Sequence, residues 1–177
     1  MTARDEILKS FAEWTALSAL RSGSPIKSRK DVYGAIQSIV FDPVLDTSKG
    51  ALARNEFDEW HRNTLVSLTG ANAKLANQFG WAAKIVNVYL KTYCYVGDGG
   101  RAGIREYLHP PIDAGLWKGV KRRFQSNRSV LDDTHVVTTI ARITSHDVYL
   151  QLVKGFREAA TQLKCPLIEI EQLWEKS

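Results

Sequence analysis

The sequence predicts an all-α protein, a compact domain of about seven to eight helices, and three observations carry that reading. Apolar residues recur at i, i+4 and i+7 in most segments, the spacing that gathers them on one face of a helix. Clusters of Gly, Pro and Ser cut the chain into pieces of helix length. Only THVVTTIARI, residues 134–143, has the density of β-branched side chains that favours a strand. No second stretch offers it a partner, so it too is read as helix.

The first helix is residues 4–21, with Thr2 as its cap and Ile7, Phe11, Trp14 and Leu17 or Ser18 as its apolar stripe. SGSPIKS breaks the chain, and a second helix runs from about Lys30 to Val40. After the break FDPVLDTSKG comes a helix over residues 49–68, with Leu52, Phe57, Trp60, Leu65 and Leu68 on its buried side. GAN ends it, and a long helix follows from about Ala73 to Tyr95. The glycines of GDGG, 97–100, stop that helix, and a basic segment, RAGIREYL, leads into His109-Pro110-Pro111. Proline suits a first helical position, so the next helix starts at Pro111 and runs through IDAGLWKGVKRRF, with Asp113 in its first turn. Residues 126–133 are polar and read as a loop. Ser145 caps a helix whose period runs through Val148, Leu152, Phe156 and Leu163, and LIEIEQLWEK after Pro166 makes a last one.

With 177 residues, 44% of them hydrophobic, the chain can bury one real core. Residues 1–177 are read as a single domain, with 1–45 a candidate small helical lobe packed on a body of 46–177. No run of about 18 apolar residues could cross a membrane, and the charged start MTARDEILKSFAEW is no secretory signal, so a cytoplasmic protein is expected. Cys94 and Cys165 lie far apart with no metal-ligand spacing and read as reduced thiols. His61 with Glu56 and Glu59, and His135 and His146 beside aspartates, show no metal pattern either; no cofactor or metal is expected. The net charge of +5 favours an anionic partner, nucleic acid first.

The long helix poses the functional question. GWAAKIVNVYLKTYC is apolar nearly all the way round, yet Lys84, Asn87 and Lys91 fall within roughly 60° of one another at about 100° per residue. An ordinary solvent-facing edge would mix acids with bases; this strip holds amines and an amide only. A lysine pressed into apolar surroundings is expected to lose its proton more readily, and the neutral amine is a nucleophile able to form a Schiff base. The companion feature is LHPPIDAGLW. Its prolines fix the geometry with which a helix begins, so that Asp113 either complements the helix dipole or faces Lys84, with His109 beside it.

A lysine-bearing helix, a loop and a Pro-rich turn ending in Asp at the head of another helix resemble the helix-hairpin-helix DNA glycosylase superfamily, in the style of the archaeal 8-oxoguanine DNA glycosylases. The resemblance covers about residues 79–124, with a looser similarity in the closing helices. It implies that Lys84 attacks the anomeric carbon of a flipped, damaged nucleotide while Asp113 assists loss of the base. No LPGVG-like hairpin is present; GDGGRAG, 97–103, lies in the intervening loop with another pattern. Trp81, Asn87, Lys91, His109 and Trp117 are the candidate pocket residues. Arg101, Arg105, Lys118, Lys121, Arg122, Arg123 and Arg128 bracket the turn and are the candidate phosphate contacts. Three readings follow: a glycosylase-like enzyme acting on DNA, a nucleic-acid-binding module on the same scaffold without turnover, and a non-catalytic helical component of a bacterial stress or phage-defence system that docks a partner protein.

Overall fold

The computed structural model describes residues 2–20 and 23–175 of the chain. Eight α-helices occur among them: α1 Ala3–Ser18, α2 Arg29–Gln37, α3 Asp42–Leu45, α4 Arg54–Ala71, α5 Phe79–Leu90, α6 Ala114–Arg123, α7 Arg128–Thr134 and α8 His146–Leu163. There is no strand among the described residues, and none of their helices is long and apolar enough to cross a membrane.

Every residue of α5 is buried, and the rest of the fold is arranged around it. Its backbone does not stop at Leu90 but loosens into a π-helical segment, Lys91–Val96. Helix α1 lies along α5 and this extension, α4 and α8 pack against α5, and α7 lies on α8. A closing 3-10 segment, Leu167–Leu173, runs over α6 and α8.

Local signals set most boundaries. Thr2 and Asp5 form a reciprocal cap on α1, and the Ser145 hydroxyl accepts from Val148 N–H to open α8. Helix α4 starts later than its apolar period suggests, at Arg54, with Leu52 buried in the preceding loop. The stretch before α5 holds a 3-10 turn, Ala73–Leu75, and then Asn77 at a φ of 58°, so α5 begins only at Phe79.

Four expectations are corrected. Helix α1 turns its small residues inward: Ala12 and Ala16 are fully buried, whereas Ile7 is 71% exposed, Phe11 48% and Trp14 55%. The small face lets α1 approach α5 and its extension closely, where Thr15 and Thr92 share a hydroxyl hydrogen bond of 2.8 Å. Residues 126–133 are not all loop, because Asn127 caps α7 and Val130 anchors it in the core. THVVTTIARI is not a helix but an irregular strap with one 3-10 turn, Ile140–Arg142. The strap crosses the start of α5, where Gly80 N–H donates to Ile143 O at 2.9 Å and a Cβ on Gly80 would collide with Ile140 O. Finally, the last segment is a 3-10 helix rather than an α-helix, and a Cβ on Gly119 of α6 would run into the Leu173 backbone. The strap and the closing segment both contribute walls to the site described next.

Candidate active site

Lys84 sits mid-way along α5, only 4% exposed, and its Nζ lies 3.1 Å from Asp113 Oδ2. Asp113 is not inside α6 but caps it, and Pro110 and Pro111 stand upstream in non-helical backbone. The carboxylate won the start of this helix over the proline because its Oδ1 accepts from Gly115 N–H and Leu116 N–H at 3.1 and 3.2 Å. The same oxygen accepts from Trp174 Nε1 at 2.9 Å. Asp113 is therefore rigidly aimed, with Oδ2 left for the amine. An ammonium carries three donors, and among the described residues Asp113 is the one hydrogen-bond partner of Lys84.

The pair is not sealed. It forms part of the wall of two cavities. One, of about 220 Å³, is enclosed by Trp81, Trp117, Trp174 and the strap residues Thr138, Thr139 and Ile140. The other, of about 310 Å³, is lined by Trp14, Thr15, Ser18, Lys91, Thr92, Pro111 and Glu171. The Asp113 side chain, 27% exposed, is the wetter partner.

A second pair faces the larger cavity. Lys91 Nζ lies 2.9 Å from one oxygen of Glu171 and 3.1 Å from the other. Burial raises the Glu171 pKa from its ordinary value; Lys91 opposes that shift and the nearby Asp113 charge adds to it. Two amines, one on α5 and one at the start of its π-helical extension, are thus matched by two acids from separate elements.

The polar strip of α5 splits at Asn87, which lines neither cavity. Its Oδ1 meets His61 Nε2 at 2.8 Å, and its Nδ2 donates to Tyr149 OH at 3.0 Å and Pro110 O at 3.2 Å. His109 also points into this buried cluster, its Nδ1 2.9 Å from Tyr149 OH. Arg157 Nη2 lies 3.4 Å from His109 Nε2. Arg157 also donates to Asp58 at 3.2 Å. Desolvation lowers the His61 pKa to about 4 and pushes His109 well below its ordinary value, so both rings are neutral near pH 7. Asn87 and His109 thus hold the His-Pro-Pro turn that delivers Asp113 to Lys84. They are positioning groups and not cavity walls.

The basic residues separate into different roles. Arg101 is buried, and its guanidinium donates to the carbonyls of Pro43, Lys49, Gly50 and Ala51 while lying 3.5 Å from Glu56. It clasps the loop before α4 and has no face left for a phosphate, a correction to its assignment. Arg105 is exposed and pairs with Asp98 at 2.7 Å. In the glycine-rich loop the amides of Gly97, Gly99 and Arg101 are engaged, donating to the Thr92, Tyr93 and Val44 carbonyls. Lys118 and Arg122 lie 3.6 and 2.8 Å from Glu175. Lys121 and Arg123 are exposed at the end of α6 and Arg128 at the start of α7; Arg123 and Arg128 border an open polar cleft of about 520 Å³ with Asn127 and Gln162. At 1.5 Å per residue, the ten residues of α6 put this basic end about 15 Å from Asp113.

Of the residues singled out from sequence, Lys84, Asp113, Trp81, Trp117 and Lys91 come together, while Asn87, His109 and Arg101 serve elsewhere. Trp14, Trp174 and Glu171 complete the walls and were not read as site residues. Comparison with known proteins found no match to a family model, a curated protein or a solved structure.

Proposed function

We propose that this chain is a base-excising enzyme of nucleic acid, similar in chemistry to the helix-hairpin-helix DNA glycosylases. The observation that supports it best is the contact of Lys84 Nζ with Asp113 Oδ2 at 3.1 Å on the shared wall of two cavities. A mostly buried amine beside a rigid carboxylate, with room on both sides, suits attack on an extruded nucleotide. In this reading the Lys84 ammonium gives a proton to Asp113 Oδ2, and the amine lone pair forms a bond to the anomeric carbon. The bond from that carbon to the base breaks, its electron pair leaving with the base. Ring opening then yields a Schiff base on Lys84, with the proton held by Asp113 available to the ring oxygen.

Two further features support a nucleic-acid substrate. Trp14, on the rim of the larger cavity, stacks with the exposed Phe11 at 5.8 Å and 18° between planes, an aromatic step suited to an unstacked base. Lys121, Arg123 and Arg128 offer cations at a distance where flanking phosphates would lie.

The test is borohydride trapping on oligonucleotides carrying 8-oxoguanine or a preformed abasic site. The reading expects a covalent adduct that disappears in Lys84→Met. An adduct of equal yield in Lys84→Met, or none on any lesion tried, would overturn it.

A further inference from the structure

Asp113 cannot be the group that protonates the departing base. Its Oδ1 already accepts from three N–H donors, and the one proton its Oδ2 takes from the Lys84 ammonium is the one the ring oxygen needs. Yet a purine leaves far more readily when it departs with a proton, so the site needs a second acid.

We propose that Glu171 is that acid, the proton donor to the departing base, with the base seated in the larger cavity against Trp14; this rests on the base-excision reading of the same site. Glu171 comes from the closing 3-10 segment and lines the cavity that Lys84 and Asp113 also line. Its carboxyl is mostly buried, and Lys91 is the cation that holds it in place. The charged groups acting on it are Lys91 and Lys84 from the helix and Asp113 from the cap. Asp113 Oδ1 is taken up by three N–H donors, whereas burial favours the protonated form of Glu171. A base filling the cavity displaces water and strengthens that preference.

The step balances as follows. The bond between the anomeric carbon and the base nitrogen breaks, and its electron pair stays with the base, which takes the proton of the Glu171 carboxyl. The Lys84 amine lone pair forms the new carbon–nitrogen bond. Glu171 is left as a carboxylate paired with Lys91, and solvent protonates it again once the base has left.

The experiment compares wild type, Glu171→Gln and Lys91→Gln in two assays: single-turnover release of 8-oxoguanine from an oligonucleotide between pH 5 and 9, and borohydride trapping at a preformed abasic site, where no base has to leave. Glu171→Gln is expected to slow base release by about 100-fold or more and to lose the decline of rate at high pH, with trapping within about 2-fold of wild type. Lys91→Gln removes a cation that lowers the Glu171 pKa, so its high-pH decline moves to higher pH. Base release by Glu171→Gln at the wild-type rate, or loss of trapping in step with release, overturns the role of Glu171 while a Lys84-dependent adduct still stands. Absence of that adduct in wild type overturns the base-excision reading itself and the Glu171 role with it.

Discussion

The Lys84–Asp113 contact makes an asymmetric prediction about stability. Replacing Asp113 by Ala removes the cap of α6, a loss of about 1 kcal/mol. It also frees Trp174 Nε1 and strands an ammonium that is 4% exposed. Breaking a fully buried pair costs about 3–5 kcal/mol. The Asp113 side is 27% exposed and both cavities admit solvent, so about 2 kcal/mol is the appropriate figure here. Asp113→Ala should therefore destabilise by about 3 kcal/mol in all. Lys84→Met leaves Asp113 with its three N–H donors and fills the same space with an apolar chain, at a cost of at most about 1 kcal/mol. The double variant carries no stranded charge, so it should be more stable than Asp113→Ala alone, by about 1–2 kcal/mol. Urea unfolding at pH 7 gives all four corners of the cycle. Additive losses, with Lys84→Met failing to rescue Asp113→Ala, would refute the coupling.

Three other perturbations follow from the geometry. His61 titrates near 4 in the fold against about 6.5 unfolded, so the unfolded chain binds more protons between those values and stability falls as pH drops through that window. The loss from His61 alone approaches about 3 kcal/mol at the acid end, with His109 adding in the same direction; a urea midpoint independent of pH from 7 to 4 would contradict the buried cluster. Arg101→Met should cost about 3 kcal/mol, because it orphans the carbonyls Arg101 holds, and should leave salt-dependent oligonucleotide binding unchanged in the folded fraction. Arg123→Met should be within about 0.5 kcal/mol of wild type yet weaken binding and flatten its salt slope; the opposite pattern for the two arginines would move the nucleic-acid face.

The helical class, most of the core stripe of α4 and the caps at Thr2 and Ser145 were legible in the sequence, because each rests on neighbours within a turn or two. The inward face of α1 was not. Its large residues make the stronger stripe, but close packing on α5 selected Ala12 and Ala16, and sequence period alone does not weigh fit against bulk. The reversal of structure across 126–143 has a similar origin: the polar stretch becomes α7 because α8 receives it, and the β-branched stretch is held as an irregular strap by its hydrogen bond to Gly80. Within the site, Lys84 and Asp113 were readable from residue type and from the turn between them. Asn87, offset by roughly 60° from Lys84, was enough off line to enter a different cluster. Glu171 and Trp174 left no signal, since nothing in LIEIEQLWEK marks a 3-10 segment that folds back on residues as distant in sequence as Lys91 and Asp113.

The central claim, that the Lys84 amine is a nucleophile in an accessible site, has one most direct measurement. Wild-type protein is reduced with borohydride in the presence of an abasic-site oligonucleotide, the nucleic acid is digested, and peptide mass spectrometry locates the added sugar remnant. The account predicts the mass increase on Lys84, in the stretch WAAKIVNVYLK, with Lys91 unmodified. A remnant on Lys91 or on surface lysines, or an unmodified Lys84, would contradict it.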